Sequence, residues 1–365
     1  ETMLGLTTLV ALVALSTVYA AKPAMTDSYI ITYEDAPNGG VSQTISVGAE
    51  PYNWYGVVDP AAPADFATKI TFGTTGQTLA TLAAMADGTG LIKPYTANNA
   101  IYATNNNAIL TNGTTYSWYI YGIKQKSDVP TYNVARTNGQ VKLDYTGAGY
   151  VTLLNAAAPY YFTLANFDIG KIAQLQIYTT GYPSITDKYK VIETTTKEQA
   201  AAAVVNIVGP IATISLAKID GKTSVTFDAR LGSGNSANIA FTAGGMVTAM
   251  SPGWAAEGEA FASMAVTNRT WVFTPSKEVL VDVAVNANPY VGADKLSIVL
   301  EGSNAATYDY AQKASETKKG QKANKITVYS VQSSPNTQFL VAIKSPASSL
   351  PILSVLMVVV ARIFF

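Results

Sequence analysis

The side chains that most often do chemistry in proteins are missing from this chain: its 365 residues include no Cys and no His. Without Cys there are no disulfides, thiolate nucleophiles or cysteine metal sites. Without His the usual general base, the commonest zinc ligand and the neutral-pH switch are gone. Carboxylate or Lys/Ser chemistry remains formally open, but no constellation assembles it. Asp87-Gly88-Thr89-Gly90 lacks the oxygen-ligand spacing of a calcium loop and reads as a turn. Gly232-Ser233-Gly234-Asn235-Ser236 has no lysine after it, so it is not a phosphate loop and reads as a hairpin or surface loop. No catalytic, cofactor-binding or metal-binding residue is expected, and the chain reads as a non-enzyme.

Two sequons carry a different kind of chemistry. Asn112-Gly113-Thr114 and Asn268-Arg269-Thr270 make Asn112 and Asn268 candidate glycan acceptors in a secreted chain. Glycans would hydrate a surface short of charge, since 13% of residues are charged and 48% are hydrophobic. Cytosolic domains carry about a quarter charged residues. Lys plus Arg equals Asp plus Glu at 24 each, so no basic field points to nucleic acid. A wall, fibre or envelope protein can be this neutral because it is meant to associate. The expected location is therefore extracellular, at the cell surface.

The strongest pattern lies at the two ends. Residues 3–21 contain no charge, and as a helix they would span roughly 28 Å, close to the thickness of a hydrocarbon core. Lys22-Pro23 ends that helix, because a residue before proline leaves the α region. Its apolar residues run all round, so it must be buried on every side, in lipid or among like helices. A secretory signal peptide, a membrane anchor and a filament core helix all satisfy this requirement. A chain that opens at Glu1 and runs straight into an uncharged helix resembles a type IV pilin or archaellin over residues 1–24. Position 5 is Gly5, where bacterial pilins usually carry a glutamate, which favours the archaeal branch. The resemblance implies a homopolymer that resides in the membrane before assembly. It also implies a core built from Met3, Leu4, Gly5, Leu6, Leu9, Val10, Leu12, Val13, Leu15 and Val18.

Residues 350–365 are again apolar, broken by Arg362. They could be a membrane anchor, a second core helix, or a strand donated to a neighbouring subunit, with Leu353, Val355, Leu356 and Val358 as the contact residues. The main expectation is a structural subunit of an extracellular pilus-like or archaellum-like filament, for adhesion or motility. The alternative is a surface-layer or envelope protein anchored by the C-terminal segment.

Between the ends the chain reads as mainly β, with one or two β-sandwich domains of immunoglobulin-like type. Period-two alternation marks strands at 213–216, 224–227, 270–273, 279–285, 295–300 and 325–331. Asp220-Gly221, between two such runs, predicts a hairpin; Asn38-Gly39, Asn112-Gly113 and Asn138-Gly139 are further turn pairs. Ala-rich 77–86 and 197–206 predict short helices. A boundary near Gly209-Pro210 divides the chain into 1–24, 25–209, 210–346 and 347–365. The five lysines of 313–325 predict a solvated loop. The aromatic clusters at 52–55, 116–121 and 160–162 predict cross-strand packing inside a sheet, with subunit contact as the other use of such rings.

Overall fold

The computed structural model describes residues 28–32, 42–45, 52–59, 61–72, 77–83, 91–97, 101–105, 118–124, 131–136, 138–145, 149–155, 160–179, 181, 190–194, 196–209, 211–219, 221–233, 236–241, 244–251, 268–289, 291–333 and 337–345. The apolar segments 3–21 and 350–365, Asn112, Asp87-Gly88-Thr89-Gly90 and the pairs Asn38-Gly39 and Asn112-Gly113 lie outside the described residues. The body is mainly β, and every alternating run read from the sequence lies in a strand.

The centre is one large sheet of eight strands. In spatial order they are Gly139–Tyr145, Thr223–Ser233, Tyr160–Asp168, Ala203–Val208, Met246–Met250, Gln338–Lys344, Val279–Asn288 and Ala314–Ala323. The first four and last four form two halves joined by a short parallel pairing, Ala203 with Met246 and Val204 with Val247. A buried polar cluster closes that seam. Asn206 donates its backbone N–H to Thr248 Oγ1 (3.0 Å) and its side-chain amide to the Thr248 carbonyl (2.9 Å), while Thr163 donates to Asn206 Oδ1 (2.9 Å). In a dry interior such groups are costly unless satisfied, so the cluster specifies this one register.

Two five-stranded sheets cover the large one. The first cover sheet has the order Lys190–Thr194, Ile172–Tyr178, Ile211–Ile219, Gly149–Leu154, Thr131–Ala135. The second runs Ser236–Phe241, Arg269–Pro275, Lys325–Val331, Lys295–Glu301, Ala306–Tyr310. Register parity sorts the large sheet's residues by face. Phe162 pairs with Ile207 and Leu164 with Val205, so these buried residues share one face. Val204 points the other way and shares its face with Val247, which pairs with Ile343, which pairs with Val283. That second face borders Ser236 to Ala240 of the second cover sheet, and residues of both cover sheets join the large sheet in one buried core.

A four-stranded N-terminal sheet joins Ser28–Thr32, Trp118–Lys124, Tyr52–Val58 and Tyr95–Ala97, and its two central strands, Trp118–Lys124 and Tyr52–Val58, are buried on both faces. On one side Tyr52, Trp54, Trp118 and Ile120 pack on the short helices Phe66–Lys69 and Leu79–Ala83. On the other, Tyr55, Val57, Tyr119 and Tyr121 meet Val134, Leu154 and Ile211 of the first cover sheet. The aromatic clusters at 52–55 and 118–121 are therefore interior, with Tyr52 stacked on Trp54 at 5.5 Å and Tyr55 on Tyr121 at 6.2 Å. A second small sheet joins Ser42–Ile45, Ile101–Asn105, Ile70–Phe72 and Gln77–Thr78.

Several expectations change. The Asp220-Gly221 turn is not a hairpin: Ile211–Ile219 and Thr223–Ser233 lie in different sheets. Gly221 has the positive φ that the pair supplies (+76°), yet each strand already has partners on both sides, so the turn carries the chain from one layer to the next. The 232–236 turn likewise crosses between sheets, from Thr223–Ser233 to Ser236–Phe241. For the same reason a division at Gly209-Pro210 would cut through two sheets, because strands on either side of it are paired. The second Ala-rich helix is only Lys197–Ala201, capped by Thr196 Oγ1 accepting from the Gln199 N–H. Its expected second half is the strand Ala203–Val208, whose Val205 and Ile207 are buried in the large sheet. The first is Leu79–Ala83, following a two-residue strand. The lysine-rich stretch is an edge strand, Ala314–Ala323, with Lys318 bonded to Glu316 at 2.8 Å. Lysines on a sheet edge discourage pairing with other chains.

One loop of the second sandwich hangs on a buried carboxylate. Asp294 is fully buried and accepts from the Ser333 N–H (2.6 Å), the Ser333 hydroxyl (2.5 Å) and the Thr337 hydroxyl. Burial pushes its pKa up, but the bonds from Ser333 and Thr337 together hold it below the ordinary carboxylate value. A depressed folded-state pKa contributes stability above the unfolded value of about 3.9, lost as pH falls through the folded one. Asp294→Ala should lose about 3 kcal/mol at pH 7, because three donors lose their acceptor. Denaturant melts of both chains from pH 7 to pH 2 check this: the gap should narrow in acid, and a constant gap would mean the carboxylate's charge is irrelevant.

Candidate functional site

The second cover sheet ends partway across the large sheet and leaves a step. The step is a cleft of about 620 Å³. Its floor is the face of the large sheet that carries Tyr161, Thr163 and Ala165 on one strand and Asp228 and Arg230 on the next. These are largely alternate residues, as expected where a strand presents a face. The wall differs: Ser236, Ala237, Asn238, Ile239 and Ala240 line it consecutively. Five successive residues can border one space only if the strand presents its backbone edge. Ser236–Phe241 pairs in parallel with Arg269–Pro275 on one side, and among the described residues its other side has no strand.

The floor is held firmly. The Tyr161 ring lies over Gly232, its cross-strand partner, where an added Cβ would come within 2.0 Å of the ring. Glycine is therefore required by the close approach, not by a turn. Buried Asn155 donates its amide to the carbonyls of both Tyr161 and Gly232 (3.0 Å each), fixing the crossing point. In the second cover sheet itself, Arg269 is 3% exposed, and burial pulls its pKa down to about 10 beside Tyr161. Asn166 occupies the left-handed region (φ 55°) at a bulge and donates to Asp228 Oδ2 at 2.6 Å, which orients the carboxylate. Arg230 is exposed and makes no hydrogen bond or ion pair among the described residues.

Among the described residues no three His, Cys, Asp or Glu side chains gather to hold a metal ion. No described helix is long and apolar enough to cross a membrane. Of the expected site residues, Asn268 is described: it is exposed, just before Arg269–Pro275, and accepts a long bond (3.4 Å) from the Gln332 N–H. The cleft was not anticipated from sequence. Its only sequence signals were Tyr161, within the 160–162 cluster, and the Gly/Ser-rich 232–236 turn.

No protein-family model matches the chain, and no curated protein matches it in sequence. Among solved structures, the CUB1-EGF-CUB2 domain of human MASP-1/3 is similar at 10% identity and a TM-score of 0.23, covering 57% of this chain and 94% of that one. A triple jelly-roll turret protein of an archaeal virus gives 9% identity and a TM-score of 0.14, covering 87% of each chain. A Sulfolobus turreted icosahedral virus protein gives 10% and 0.15, covering 84% of this chain and 81% of that one. Similarity at this level transfers neither fold nor function.

Proposed function

We propose that this chain is a structural subunit of an extracellular filament of the archaeal pilus-like or archaellum-like kind, its β-sandwich body outside and its apolar N-terminal segment packed as a helix with those of other copies. The carrying observation is how little apolar surface the described residues expose. Leu280 and Val291 are the only large hydrophobic side chains exposed among the described residues. The uncovered apolar strip beside Ser236–Phe241 runs along one six-residue strand, too small to enclose the nineteen uncharged residues 3–21 on every side. Burial in a membrane before assembly, and among like segments afterwards, meets that need. Shearing the source cells and imaging the released material by electron microscopy tests the proposal. Filaments labelled by an antibody to the body are expected; a two-dimensional lattice or detergent-dependent monomers would sink it.

Glycosylation fits the same exterior. Asn268 and Thr270 are two apart on one extended segment, and no described hydrogen bond occupies the Asn268 amide nitrogen. Asn268→Gln should lower the intact mass of protein from its source by one glycan. An unchanged glycan mass would remove Asn268 as an acceptor.

A further inference from the structure

The uncovered edge of Ser236–Phe241 stands apart from the other edges of the three large sheets. Ala314–Ala323 carries Glu316, Lys318, Lys319 and Lys322; Gly139–Tyr145 carries Lys142 and Asp144. Lys190–Thr194 carries Lys190 and Glu193, and Ala306–Tyr310 carries Asp309. Thr131–Ala135 has no charge, but it is capped by a bridge from Leu91 to Ala135 and a bond from the Ile92 N–H to the Val134 carbonyl. Ser236–Phe241 (Ser-Ala-Asn-Ile-Ala-Phe) has neither charge nor cap among the described residues. Charges on an edge prevent strand addition, so the edge without them is the one left competent for it. The cleft beside it is open to a further strand, and half-buried Tyr161, Val204, Leu231 and Ala237 border it with apolar surface not yet covered.

We infer that this edge accepts an extended segment from a second copy of the chain, namely residues 350–365, which adds a strand to the second cover sheet. This rests on the homopolymer reading and names the contact that would join its subunits outside the core. The segment is uncharged but for Arg362, is rich in β-branched residues (Val358-Val359-Val360), and at sixteen residues exceeds the six-residue edge. Its point of departure is close to the cleft: the Ser345 N–H donates to the Gly245 carbonyl at 3.0 Å, four residues beyond Phe241. Pro346 and Pro351 bias Ser345 and Leu350 toward extended backbone, which disfavours a tight turn back onto the chain's own edge. Main-chain bonds to the edge would supply affinity, and the floor beneath would read alternate side chains.

The absence of native cysteine makes the test clean. The full chain carrying Asn238→Cys and Val358→Cys is oxidised mildly and run on a denaturing gel without reductant, with Ser354→Cys and Leu356→Cys as alternative partners for Asn238→Cys to allow for register. A reductant-sensitive ladder of dimers and higher species is expected. It should vanish when Ala240→Lys is added, a substitution at an exposed position that should leave the melting temperature unchanged. Monomer alone in all three pairs, or a monomer with an internal disulfide, overturns the inference. Repeating the experiment with Leu9→Asp separates the two proposals: a ladder without filaments keeps the edge contact and locates the defect in the helix, whereas filaments without a ladder reject only the edge contact.

Discussion

Cells producing the Leu9→Asp chain should yield no sheared filaments, while the chain's β body melts at the parent's temperature. Leu9 lies near the middle of the uncharged run 3–21. A carboxylate at the centre of an apolar helix costs about 2.5–3.5 kcal/mol even by insertion scales that allow the side chain to reach for water. Every subunit of a polymer would pay that cost, and there would be no cation among residues 3–21 to offset it. Electron microscopy of sheared material and circular-dichroism melts of the purified chain give the two readouts. Filaments of normal abundance would show that the segment is not buried in a core. Loss of both filaments and the folded body would show that it is part of the body's own fold.

The second large effect is expected inside the body, at Gly122→Val. Trp54 and Gly122 are cross-strand partners in the N-terminal sheet, and the Trp54 ring lies flat over the glycine. A Cβ on residue 122 would meet three ring carbons at 2.3–2.7 Å, distances real Cβ contacts do not reach. Trp54 is fully buried and stacked on Tyr52, so the ring cannot swing aside without opening the contacts to Phe66 and Leu82. Overpacking of this kind typically costs 1–3 kcal/mol, and a branched side chain against a rigid indole belongs at the upper end, about 3 kcal/mol. Chemical denaturation followed by tryptophan fluorescence measures it. A change below about 0.5 kcal/mol would mean that the ring does not occupy this position.

The same arrangement recurs at Tyr161 over Gly232. A glycine inside a strand normally weakens it, and an aromatic ring laid across the gap restores the lost packing. Both glycines stand in sequences that read correctly as strands, but nothing local reveals which ring crosses which glycine. That depends on register between segments 68 and 71 residues apart, Trp54 with Gly122 and Tyr161 with Gly232.

The amino-acid sequence by itself determined the mainly β class, most strand positions in 211–331, the interior role of the aromatic clusters at 52–55 and 118–121, and the absence of cysteine and histidine chemistry. These are properties of single residues and short periods: alternation places one face of a strand in a core whatever its partners are. The tertiary structure alone decided the partners. Asp220-Gly221 set a positive φ but not whether the following strand pairs beside its predecessor or crosses to the opposite layer, because that depends on which edges other strands already fill. The end of the Ala-rich 197–206 run, Ala203-Val204-Val205-Asn206, became a strand because the large sheet had a place for β-branched residues between Tyr160–Asp168 and Met246–Met250. The cleft arose the same way. Its floor and wall come from two different sheets, and its open edge exists because, among the described residues, the second cover sheet ends at Ser236–Phe241.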